Sequence, residues 1–211
     1  MARPPEPEKR RELARRATRV LEREGLEISA ARLAEALGIK RPTLLYHFPT
    51  YGHLLEVALE DLLVEQSAFV LSAIAEHEHP IERLYAQLRA VHAFHEGREA
   101  RVVFLTQAIA ASAGKRLPEI LAAGTRVFEA HRRDAADRVR KGIAEGTVAP
   151  CDADALVTLV RAMIDGLLLS RVTSGVELPP VHALVWERVF APLILSKPAK
   201  TASTSPRRRS K

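Results

Sequence analysis

From Glu8 to Ser196 the apolar residues of this chain recur at three- and four-residue intervals, and run after run closes on glycine or proline. Such spacing lines residues along one face of a helix, so the pattern dictates a stack of amphipathic helices rather than a sheet. Leu13, Ala14, Ala17, Val20 and Leu21 form the first stripe, stopped by Gly25. Ser29 can cap a short helix carrying Leu33, Ala34 and Leu37, which Gly38 ends. A second short helix is expected from Arg41 or Pro42 to His47, because proline suits a first turn where a missing N–H costs nothing. Thr50 caps a long helix through about Glu76. Pro80 opens the next, with Leu84, Leu88, Val91 and His92 on one face. Residues 99–113 read as another helix, and Pro118 opens one that stops before Gly146. The run from Asp152 to Ser174 is apolar nearly all round, which requires burial on more than one side. Val181 to Ser196 gives the last helix, kinked by Pro192. The expected class is all-α, with about nine helices and no strand.

Charge and cysteine content narrow the setting. Residues 1–50 hold 11 Lys and Arg against 7 Asp and Glu, and residues 197–211 hold 6 basic side chains and no acidic one. The whole chain is only +6, so its middle is mildly acidic and its ends attract polyanions. The single cysteine, Cys151, excludes an intramolecular disulfide framework and suits a reducing compartment. No apolar run approaches the roughly 18 residues of a membrane helix, and MARPPEPEKR has no apolar signal core. A cytoplasmic protein without membrane contact is expected.

Ser29–Phe48 is the most specific segment: helix, a turn centred on Gly38, then a helix exposing Arg41, Thr43, Tyr46 and His47. That is helix-turn-helix spacing, in which the second helix enters the major groove and its side chains meet base edges and phosphates. The run ISAARLAEALGIKRPTLLYHFPTYGHLLEVAL resembles the DNA-binding domain of TetR-type (TetR/AcrR) transcriptional regulators, chiefly through residues 33–39 and 42–48. The resemblance implies a DNA-binding domain at 8–49 and an effector-binding and dimerisation domain at 50–196; the proline-rich residues 1–7 and the low-complexity basic residues 197–211 are expected to be a disordered arm and tail. It also implies a homodimeric repressor of double-stranded operator DNA, with no cofactor. DNA contacts fall on Ser29, Lys40, Arg41, Pro42, Thr43, Leu45, Tyr46, His47 and Tyr51. Leu45 stands where the family often has tyrosine, and Tyr51 where it often has lysine; Arg3, Lys9, Arg10 and Arg11 are available to restore backbone charge.

In the second half, His92, His95 and His131 sit on or near apolar stripes, and buried polar groups need partners. The resemblance implies a cavity for a small, apolar effector here, lined by Leu88, His92, Phe104, Gln107, Phe128 and His131. The helix from Thr50 to Glu76 is the expected link between effector and DNA. Leu156, Val160, Met163, Leu167, Val185, Trp186 and Val189 are the expected dimer interface, as a four-helix contact about a two-fold axis. His77 with His79 and His92 with His95 invite a metal reading, but no sequence neighbour supplies a third ligand. Cys151 before a helix start suggests a lowered thiol pKa. No phosphate loop, nucleophile elbow or carboxylate pair appears, which leaves a helical small-molecule or metal-dependent enzyme as the competing class. An architectural DNA binder using the basic tail is a third.

Overall fold

The computed structural model describes residues 6–25, 27–103 and 117–196, and for Tyr51, Glu56, Leu59 and residues 117–128 the backbone alone. The described part is helical, and its extended pairing is one isolated antiparallel bridge, Val148 with Ile194. In chain order the helices are α1 (Pro7–Glu24), α2 (Ala30–Ala36), α3 (Arg41–His47), α4 (Tyr51–Ala75) and α5 (Pro80–Phe94). Then come α6 (helical at 99–103, its expected remainder lying outside the described residues), α7 (Leu117–Ala144), α8 (Ala153–Ser174) and α9 (Leu178–Val185).

Two apolar cores organise these helices. In the first, the expected stripe of α1 closes on Leu33, Ala34 and Leu37 around α2, and on Leu44 and Phe48 around α3. Leu54, Leu55 and Ala58 of α4 also belong to it, so the boundary expected at residue 50 falls at the start of a helix that serves both cores. The second core packs Ile81, Leu84 and Leu88 of α5 against Ala136 and Val139 of α7, Val157, Val160 and Ile164 of α8, and Phe190. Val70, far along α4, packs against that second core.

The caps explain most of the boundaries. The side chains of Ser29, Thr50 and Asp152 accept the backbone N–H of Arg32, His53 and Ala155, satisfying first-turn amides of α2, α4 and α8. His79 does the same for α5: its Nδ1 accepts from the N–H of Ile81, while its Nε2–H donates to the Thr147 carbonyl at 3.0 Å.

The last helix departs from expectation. It starts at Leu178 rather than Val181, because Pro179 and Pro180 fit its first turn. It then widens into a π turn at Trp186–Phe190 and tightens into a 3-10 turn at Ala191–Leu193. Pro192 has no N–H to continue the regular ladder. The chain leaves the helix there and pairs with the α7–α8 loop, the N–H of Leu195 donating to Thr147 and that of Ala149 to Leu193, both at 2.9 Å.

Candidate nucleic-acid interface

The α2–α3 pair is fixed by its turn. Gly38 has φ 68°, a left-handed conformation that glycine adopts without cost. Its N–H donates to Glu35 at 2.9 Å and the N–H of Ile39 donates to Ala34 at 3.0 Å, which satisfies the last carbonyls of α2 and reverses the chain within two residues. Ile39 packs on the first core, and Arg16 of α1 donates to the Leu37 carbonyl. The angle between α2 and α3 is thus set by hydrogen bonds and apolar contact together.

Within α3, Leu44 is the buried anchor and Phe48 closes the end. Arg41, Pro42, Thr43, Leu45 and Tyr46 are exposed, as is Lys40 at the N-cap. Leu45 and Tyr46 are large side chains left 38% and 44% exposed, a placement that burial alone does not explain. His47 differs from expectation: it is half-buried, its ring 5.3 Å from Tyr46 and 6.4 Å from Phe48, so it braces the helix end more than it extends from it. Ser29 is exposed but already serves as the α2 cap. Tyr51 is the first residue of α4, and its side chain lies outside the described residues.

The expected effector set does not come together as one lining. Leu88 and His92 are buried in the second core. His131 is exposed on α7 and is removed from that set. Phe104, Gln107 and the Phe128 side chain lie outside the described residues.

His92 already has both ring nitrogens occupied. Nε2–H donates to the Ile164 carbonyl at 3.0 Å, which leaves Nδ1 to accept from His182 Nε2–H at 2.8 Å. The two rings stack within 6° of parallel, and Tyr85 donates to the His182 carbonyl at 3.2 Å. This knot joins α5, α8 and α9, and His182 stands 90 residues from its partner, so no local pattern announced it. His95 is also buried; its Nε2 meets Gln66 Oε1 of α4 at 3.0 Å, and its Nδ1 has no partner among the described residues.

Burial keeps these rings neutral. It lowers the pKa of His92, and pushes those of His95 and His182 down to about 4, with Arg101 and His92 respectively adding to the shift. The unfolded chain takes up these protons near pH 6.5, the folded one at lower pH, about 4 for His95 and His182. The native state is therefore favoured in full above pH 6.5 and loses stability as pH falls toward 4. Denaturation midpoints at pH 7, 6 and 5 should fall in that order, and fall less in His182→Gln. A flat series would show that these histidines do not carry acid sensitivity.

The expected dimer residues divide. Leu156 and Val160 face this protomer's own core, so they cannot form the outer contact. Trp186 packs at 4.8 Å on Tyr85, and Val185, Val189 and Met163 are partly buried against the same core. Leu167 is half-buried. The exposed face of α8 runs instead through Leu159, Ala162, Gly166 and Leu169, and α9 adds Leu184. A stripe analysis counts apolar residues but does not say which of two opposite apolar faces looks outward.

One further expectation changes. Cys151 is half-buried in the α7–α8 loop, and burial and Asp152 push its thiol up rather than down. Among the described residues no three His, Cys, Asp or Glu side chains converge as metal ligands, and no helix is long and apolar enough to cross a membrane. An ion pair that sequence did not reveal ties α6 to α1: Arg101 donates to Glu22 at 3.2 Å, both side chains 16% exposed.

No family model and no curated protein matches the sequence. Solved structures do match by shape. A putative transcriptional regulator from Saccharomonospora viridis, solved with choline, is 20% identical with a TM-score of 0.73, covering 90% of this chain and 100% of that one. A TetR transcription regulator from Haloarcula marismortui is 19% identical with a TM-score of 0.72, covering 89% and 100%. AibR, solved with isovaleryl coenzyme A and operator DNA, is 18% identical with a TM-score of 0.64, covering 86% and 98%. Among the described residues the all-α fold expected from the sequence is the fold found, and solved TetR-family regulators share it over 85–89% of this chain.

Proposed function

We propose that this chain is a TetR-type transcriptional repressor of the cytoplasm. In this reading it binds operator DNA as a homodimer and is released by a small-molecule effector. The observation that carries the reading is α3: a seven-residue helix fixed by a two-residue turn, with one buried anchor and a row of exposed polar and aromatic side chains. AibR, of like shape, was solved with both operator DNA and an acyl-coenzyme A, and the Saccharomonospora regulator with choline.

Arg41, Thr43, Leu45 and Tyr46 meet the groove, with Lys40 at its edge. Arg41→Ala should weaken operator binding by about 1–3 kcal/mol and relax base preference at one position, the signature of a guanine contact. Binding titrations against single-base operator variants measure this. An equal loss on every sequence would make Arg41 a phosphate contact and leave base reading to its neighbours.

The effector enters at the C-terminal end of α5, where His95 offers a buried polar atom without a partner among the described residues. Its occupancy is felt by α4 through Gln66 and by α1 through the Arg101–Glu22 pair of α6, so two helices rather than α4 alone carry the coupling. Effector and operator then weaken each other by the same factor.

A further inference from the structure

The basic residues of α1 are not equivalent. Lys9 pairs with Glu6 at 2.7 Å, Arg15 with Asp61 at 3.4 Å, and Arg16 donates to the Leu37 carbonyl. Arg10 lies among them on the same helix, and among the described residues no carboxylate pairs with it. Its guanidinium carbon sits 5.6 Å from the centre of the Phe48 ring, and its Nε is buried without an acceptor among the described residues. Phe48 is itself 2% exposed and closes α3, directly after Tyr46 and His47.

This arrangement places a cation over the Phe48 ring at the foot of the exposed α3 row. A guanidinium held near a fixed ring has less freedom to lose on binding, and its planar fork matches two oxygens of a phosphate.

We propose that Arg10, positioned by Phe48, binds a backbone phosphate of the duplex beside the groove that α3 enters. This rests on the regulator reading above and adds to it a contact from the first helix. Phosphates carry no base information, so the contact governs affinity and salt dependence alike on all sequences.

The test uses the full chain and two probes: a duplex that the unaltered protein selects from a random library, and a duplex of scrambled sequence. Arg10→Met keeps an unbranched stem on the Phe48 ring and removes the charge. Affinity for both probes should fall by a similar factor. The slope of log affinity against log salt should become shallower by about 1 per protomer, hence about 2 for a dimer. The preference between probes and the thermal midpoint should stay as they were. Arg10→Lys should keep most of the salt slope. Native affinity and slope in Arg10→Met would overturn the proposal. So would a loss explained by a lower midpoint that Arg10→Lys shares. If the unaltered chain shows no preference between duplexes, the regulator reading falls and takes the Arg10 contact with it. A selective unaltered chain beside an indifferent Arg10→Met sinks the Arg10 contact alone.

Discussion

Leu169→Glu, combined with Leu159→Glu, should turn a dimer into a folded monomer. Both side chains are nearly half exposed in the single protomer, so a carboxylate on either is solvated there and costs the fold little. Across a two-fold axis each substitution occurs twice, and the pairing of α8 and α9 with their mates would bury four like charges without partners. Gly166→Arg offers a second route, since a Cβ there meets no atom within 4 Å in the protomer but would block close approach of another helix. Light scattering should give half the native mass with an ordinary helical signal. Operator affinity should fall by roughly 100-fold or more, because two linked half-site contacts become independent ones. An unchanged mass would place the dimer contact elsewhere. Charging Met163 would be a poorer probe: it is partly buried against the protomer's own core, so dissociation and unfolding would be confounded.

Phe190→Ala should have the opposite character and unfold before it dissociates. The ring is fully buried, 5.5 Å from that of Tyr85, in a core shared with Ile81, Val148 and Val160. Emptying such a site costs about 3–5 kcal/mol, against a total stability of roughly 5–15 for most domains. The thermal midpoint should drop by roughly 6–20 °C for a chain of this size. A loss under about 1 kcal/mol in a denaturant titration would mean that the π turn relaxes to refill the space.

These two substitutions also mark where sequence is informative. The helices and most caps were legible, because a 3.6-residue period and Ser, Thr, Asp, Gly and Pro at the ends are local signals. The α2–α3 turn was legible for the same reason, since Gly38 answers a local backbone need. The outward face of α8 was not. Leu156 and Leu159 are equally apolar, and only the placement of α5 and α7 decides that Leu156 goes inward. The π turn that buries Phe190 leads into a chain end received by the Thr147–Ala149 strip, 44 to 48 residues earlier in sequence. His131 shows the same limit: it lies near an apolar stripe, yet the helix turns it to solvent. His182 and the Arg101–Glu22 pair are products of tertiary contact, and no spacing rule points to them.

The central claim is that the exposed row of α3 reads duplex DNA in pairs. Selection from a random-sequence duplex library by the full chain tests it most directly. Enrichment of an inverted repeat is expected, its half-site centres about 34–36 Å or a multiple of that apart, as two recognition helices related by a two-fold axis require. Recovery of sequences no different from the starting library, with all duplexes bound alike, would contradict it.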